Sequence, residues 1–517
     1  MSRAIVIGAG IAGLATAALL ARDGHEVVVL EKREAVGGRA GSWEHEGFRF
    51  DTGPSWYLMP EVFEHFFRLL GTSSAEQLEL VQLDPAYRVW AEGETEPVDV
   101  PAEVEETIEL FERIEPGSGS RLRRYLERAR ETSDLATRRF LYSTFEKLGP
   151  VFDPEVRARS ARLVRLLLEP LGSLVTRTVR DLRLRQILGY PAVFLGASPK
   201  LAPSMYFLMS HLDMVDGVRY PMGGFARLIE RIEVLAREQG AEIRTGQEVA
   251  RILVEGGEAH GVAVRGADGR ETVLEAELVV SAADLHHTET RLLEDPADRS
   301  YDQAYWDRRI AGPSALLLFL GVRGEVPELQ HHTLLFAREW DANFEQIFGS
   351  RARIPDTPSL YICKPSGIDP GVAPEGDTNL FVLVPLPADP ALGRGGVDGA
   401  GDAAIEQLGD RMIAQIADWA GIPDLASRIV VRRTMAPGDF EVDLNAWRGT
   451  ALGPAHTLRQ SAFFRARNRS RKVRGLLYAG GSTIPGIGLP MCLISAELVV
   501  KQLRGDTTAG PLPEPLR

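Results

Sequence analysis

Gly8, Gly10 and Gly13 stand at the spacing G-x-G-x-x-G in AIVIGAGIAGLATAALL. The first glycine permits a tight turn, the second lets backbone approach a pyrophosphate, and the third allows a helix to pack closely on a strand. A dinucleotide is the ligand such a loop serves. Glu31, closing EVVVLE, lies at the distance of a ribose 2′-hydroxyl acceptor. Ile11 and Ala12 sit between the second and third glycines, Lys32 follows Glu31, and all three are read with the loop. To position them, the apolar run from Ala4 to Ile7 must be a strand, the alanine- and leucine-rich run a helix, and EVVVL a second strand.

The other stretch with chemical character is GSTIPGIGLPMCLISAELVV, from Gly481 to Val500, whose one charged residue is Glu497. It has the length of a membrane span, but Pro485, Gly486, Gly488 and Pro490 break its first half. The pattern predicts a short buried strand in GLLYAGG, a glycine loop, and a helix from about Leu489 through Lys501 with Pro490 in its first turn. Backbone N–H groups at such a helix start can face a ligand.

The chain has 517 residues, enough for two or three domains, with 44% apolar and 25% charged residues. A net charge of −13 argues against nucleic acid as a partner. Two cysteines, Cys363 and Cys492, give neither a disulfide framework nor metal-ligand spacing, so no metal site is expected. The N-terminus enters a strand without a secretory leader, and a reducing cytoplasm is the expected compartment. His286-His287 and His331-His332 have no carboxylate or cysteine at ligand spacing, so surface or packing roles are expected. No residue is identified as catalytic.

Several further blocks carry a family resemblance. They are EKREAVGGRAGSW with Gly37, Gly38 and Arg39; FRFDTGPSWYLMP with Asp51 and Gly53; SPKLAPSMYFLMSHLDMVDGVRYPMGGFARLIERI; GAEIRTGQEVARILVEGGEAHGV; VVSAADLHHTETRLL; KPSGIDPGVAPEGDTNLFVLVPLP; and QSAFFRARNRSRKVRGLLYAGGSTIPGIGLP. In this order they resemble the bacterial phytoene desaturases of the flavin amine oxidase superfamily. The resemblance implies FAD, with Gly38, Arg39, Gly480 and Gly481 toward the pyrophosphate, Gly53 near the flavin, Val249 toward the adenine, and Ile487 and Gly488 facing the flavin ring. Many relatives carry Thr-His-Pro-Gly where this chain has Thr483-Ile484-Pro485-Gly486, so no imidazole base is assigned at that loop.

The implied fold is α/β: a discontinuous Rossmann-type FAD-binding domain, about residues 1–90, 220–290 and 460–510, with a mixed α+β substrate domain and a helical subdomain. Residues 91–219 and 291–459 form the substrate-binding and helical, membrane-facing region, and 511–517 an exposed tail. The implied activity is stepwise desaturation of phytoene, a substrate dissolved in the membrane, toward lycopene, with a quinone or dioxygen as electron acceptor. A carotenoid isomerase, a desaturase of another carotenoid, and a non-enzymatic prenyl-lipid carrier of related fold are the alternatives. Attachment to the inner face of the cell membrane is expected from two basic patches. One holds eight arginines between Glu155 and Arg185, interleaved with leucines in an amphipathic helix. The other holds Arg465, Arg467, Arg469, Arg471, Lys472 and Arg474 without an acidic partner, beside Phe463 and Phe464. Trp56, Tyr57 and Met59 are candidates for the tunnel wall or equally for ordinary core, Asp51 for either a cap or a proton acceptor, and Glu497 for a structural role.

Overall fold

The computed structural model describes residues 2–147, 153–266, 269–349 and 351–517. Its first layer is a five-stranded parallel sheet in the order Leu476–Tyr478, Leu278–Ser281, Arg3–Ile7, Glu26–Leu30, Glu242–Arg244. Ala4 pairs with Val27 on one side and with Leu278 on the other. These strands read as continuous apolar runs because both faces are covered. The helix Ile11–Arg22 is buried from Ile11 through Leu20 and packs between the helices Gly224–Glu238 and Leu489–Arg504. The last of these starts at the predicted residue and runs three residues beyond Lys501.

A seven-stranded sheet forms the second unit, ordered Ile429–Met435, Ser314–Val322, Thr378–Leu386, Leu360–Cys363, His332–Phe336, Tyr87–Ala91, Val98–Val100. Alternation along Ser314–Val322 sends Leu316, Leu318 and Leu320 against the helix Ala403–Ala420 and turns Ala315, Leu317 and Phe319 toward the interior of the molecule. The domain boundary expected at residue 90 therefore falls inside a strand of this second sheet. The described residues from 104 to 189 include the helices Val104–Ile114 and Ser118–Ala136, and the basic segment is broken into Pro154–Ala158, Ser160–Leu168, Leu171–Thr178 and Leu182–Gly189 instead of one amphipathic helix.

The C-terminal residues are less exposed than expected. Leu512 and Leu516 are buried, and Leu516 N donates to Leu69 O at 3.0 Å. Glu497 takes the structural role expected of it, accepting from Leu512 N and lying 3.0 Å from His65 Nε2, while Glu514 lies at His65 Nδ1. Burial opposes the His65 charge, but the two carboxylates outweigh it, so its pKa is raised above 6.5. A raised folded pKa means that the imidazolium stabilises the fold fully below pH 6.5 and that this contribution disappears as pH rises through the folded value. His65→Gln is expected to cost about 1–2 kcal/mol at acid pH and nothing measurable in alkali. Urea denaturation of both proteins across the range checks the convergence.

Candidate functional site

The glycine loop is shaped by two steric demands. Gly8 has φ +94°, and a Cβ on Gly13 would stand 1.9 Å from the Gly8 carbonyl oxygen. At Gly10 a Cβ would meet nothing nearer than 3.9 Å, because this glycine opens on a large cavity. Glu31 accepts from Ala9 N at 2.8 Å and from Arg33 N at 3.0 Å, so the carboxylate that faces the cavity also ties the loop to the end of the second strand. Lys32 Nζ reaches Val442 O at 2.9 Å; burial, as the main cause, lowers its pKa.

The cavity, about 520 Å³, gathers every residue expected at the cofactor except Gly13, which packs beneath the loop. Gly38 (φ +56°) and Arg39 enter through the backbone bond from Gly37 N to Ala9 O. Arg39 stands 4.0 Å from Asp284 Oδ2 at the cavity wall, and its buried Nε has no partner among the described residues. Gly53 is required by packing as well, since a Cβ there would lie 2.1 Å from Arg39 O. Val249 closes one end, and Gly480, Gly481, Ile487 and Gly488 the other, beside the first turn of the helix Leu489–Arg504. Backbone N–H groups, an arginine with an unused donor and an open cradle at Gly10 fit a pyrophosphate.

From that end the same cavity continues over the inner face of the second sheet, where Trp56, Tyr190, Phe194, Phe336, Trp340 and Phe344 form its wall. Among the described residues lining this end, none is charged. Trp56 and Met59 stand where the tunnel was expected. Tyr57 does not: it is fully buried and stacks on Phe63 at 4.3 Å, belonging to the core. The aromatic wall was not foreseen beyond Trp56; its one sequence signal is alternation within apolar strands, which says nothing about which ends converge.

Asp51 is a cap. It accepts from Phe225 N at 2.7 Å and Ala226 N at 2.9 Å at the start of the helix Gly224–Glu238, and burial pushes its pKa up to about 6. His287 lines the cavity, and His286 packs edge-on against Trp306; burial lowers the pKa of both. An imidazole does stand at the Thr483–Gly486 loop, supplied from elsewhere in the chain. A Cβ on Gly486 would lie 2.2 Å from His456 Nε2, although His456 is outside the cavity wall.

Arg465 is not part of a surface patch. It is 4% exposed, and its guanidinium donates to the carbonyls of Gly481, Thr483, Gln460 and Pro454, bracing the loop that closes the cavity. Asn468 Nδ2 adds bonds to Ile484 O and Ser495 Oγ, both at 2.9 Å. Two of the neighbouring arginines have acidic partners, Glu146 for Arg469 and Glu258 for Arg474.

The family of flavin containing amine oxidoreductases matches residues 11–504. This chain belongs to that family. It is an FAD-dependent oxidoreductase. It is 41% identical over 501 residues to a carotenoid 3,4-desaturase of Haloarcula japonica, covering 97% of this chain and 98% of that one. A zeta-carotene-forming phytoene desaturase of Myxococcus xanthus is 35% identical over 507 residues, with 97% and 93% covered. Among solved structures, an oxidoreductase from Methanosarcina mazei superposes with a TM-score of 0.58 at 18% identity, covering 96% of this chain and 100% of that one, which shows the shared fold.

Proposed function

We propose that this flavoprotein desaturates a linear carotenoid, acting on phytoene toward lycopene. The observation that supports it most directly is the uncharged aromatic chamber continuous with the flavin end of the cavity. A hydrocarbon has no carbonyl to polarise and no hydroxyl to deprotonate, so a site for it needs alignment and exclusion of water. FAD, when bound, would supply the acceptor for a hydride from an allylic carbon, and loss of a proton from the adjacent carbon would complete the double bond. Trp56, Tyr190 and Phe194 hold the chain flat and keep water out. A quinone or dioxygen then removes the electrons.

The substrate would enter from a membrane surface. Among the described residues no helix is long and apolar enough to cross a bilayer. Val164 and Leu168 on Ser160–Leu168 are 52% and 68% exposed, and Phe463 and Phe464 are 47% and 48% exposed. Tyr206 donates to Ser461 Oγ at 3.0 Å, and Ser204 to Leu166 O at 3.1 Å, so both groups flank one short segment. The arginines add less than expected, because Glu131, Glu155, Glu169 and Asp181 pair with Arg162, Arg159, Arg177 and Arg183.

The test is anaerobic single turnover with FAD-loaded protein and phytoene-bearing anionic liposomes. Flavin bleaching with growth of long-wavelength polyene bands is expected, and no bleaching despite co-sedimentation would refute phytoene as substrate. Exchanging Phe463 and Phe464 for serine, with Arg467, Arg469 and Arg471 made glutamine, should weaken co-sedimentation at least tenfold without altering flavin content. The likeness to a carotenoid 3,4-desaturase favours a second reading, 3,4-desaturation of an already conjugated carotenoid. Bleaching by lycopene but not phytoene would select it.

A further inference from the structure

The structure assigns a second site, for a zinc ion, to His331, His332 and Cys363. The strands His332–Phe336 and Leu360–Cys363 run antiparallel with His332 directly opposite Cys363, and His331 O accepts from Lys364 N at 2.8 Å. This pairing brings one ligating atom from each of the three side chains within 4.8 Å of the others, all buried. The expectation that no cysteine stands near these histidines held along the chain and fails across the sheet.

What points to a ligand is the state of the imidazoles. His331 is 5% exposed, yet neither ring nitrogen has a hydrogen-bond partner among the described residues. A neutral imidazole carries one N–H and one lone pair, and burying both without partners is costly. His332 has Nδ1 at 2.7 Å from the Tyr361 hydroxyl and Nε2 unpartnered. Tyr361 is in turn 2.7 Å from Ser55 Oγ. An outer partner on one ring nitrogen that frees the other is the arrangement that orients a metal-ligating histidine.

Beside Cys363 lies a cavity of about 10 Å³, bounded also by Asp51, Ser55 and Tyr220 and by neither histidine. Zn–N bonds of about 2.0–2.1 Å and a Zn–S bond of about 2.3 Å require the donors, now within 4.8 Å of one another, to close to roughly 3.3–3.6 Å. On binding, the Cys363 S–H bond breaks, the proton leaves to solvent, and the S–Zn bond forms, with no change of oxidation state. Two imidazoles and a thiolate suit a borderline-soft cation of tetrahedral preference. The excess positive charge faces Asp51 and Asp369; the latter accepts from the Tyr220 hydroxyl at 3.1 Å, and the Tyr220 ring packs edge-on against His331. The ammonium of Lys364 opposes it. His332 stacks on Trp56 at 4.2 Å with 8° between the ring planes, so zinc here would fix one wall of the substrate chamber from behind.

The experiment is metal analysis of the FAD-loaded protein, dialysed against metal-free buffer and then given micromolar zinc chloride. About one zinc per chain should be retained through gel filtration, and X-ray absorption should show one sulfur near 2.3 Å with lighter ligands near 2.0 Å. Cys363→Ser and His331→Gln should each lower zinc affinity at least tenfold with flavin absorbance unchanged, and Tyr361→Phe should lower it about 10–100-fold as an outer partner. Failure of the wild-type protein to retain zinc, zinc unaffected by both ligand substitutions, or uptake of copper with exclusion of zinc would each overturn the assignment. If Cys363→Ser loses flavin through misfolding, His331→Gln and Tyr361→Phe decide.

Discussion

Gly10→Val is expected to give a folded protein that retains no flavin. Gly10 has φ −72° and ψ 175°, a conformation open to any L-residue, and a Cβ there meets nothing within 3.9 Å. The valine branches project into the cavity where the pyrophosphate must approach. FAD affinity should fall at least a hundredfold, which is about 2.7 kcal/mol or more, while the thermal midpoint of the flavin-free protein moves by a degree or two. Gly13→Ala is the contrasting variant: its Cβ would stand 1.9 Å from Gly8 O, so it should unsettle the strand–helix packing itself. Visible absorbance and melting of both variants separate the two effects, and normal flavin content in Gly10→Val would refute the placement of the cofactor.

The second large effect is expected at Arg465. Its guanidinium is buried among carbonyls with no carboxylate beside it, and burial lowers its pKa to about 10. Arg465→Met removes the donors and leaves the oxygens of Gly481, Thr483, Gln460 and Pro454 short of partners, at a cost of about 3–5 kcal/mol. Lysine keeps the charge but not the planar fork, so Arg465→Lys should recover a minor part of the loss. Because two of those carbonyls belong to the loop at the flavin end, weaker FAD retention should accompany the fall in denaturation midpoint. Unchanged stability in Arg465→Met would return this side chain to the surface.

What the sequence revealed was local or repeated in type. The strand, glycine loop, helix and second strand from Ala4 to Leu30 are contiguous, so their spacing carries their geometry. The C-terminal helix was legible because Pro490 marks its first turn. Residues whose surroundings come from distant segments were misread or missed. Arg465 looks like one basic residue among several, and only the fold of 454–483 around it reveals a buried brace. Tyr57 and Trp56 are adjacent, yet one faces the core and the other the chamber. Cys363 is a lone cysteine until the sheet places it opposite His332. Local pattern indicates which faces are apolar; it does not indicate which strand edges meet.

The parallel sheet beneath the glycine loop takes its middle strand from Arg3–Ile7, with Glu26–Leu30 beside it, and one of its two edge strands from Leu476–Tyr478. During translation, at about 5–20 residues per second, the glycine loop therefore emerges on the order of a minute before the segments that complete its pocket. Until then the apolar face of Ile11–Leu20 has no helix Leu489–Arg504 to cover it. The nascent chain must be shielded through that interval, flavin capture is post-translational, and a message cut short even near its end yields an apoprotein with an exposed, aggregation-prone helix.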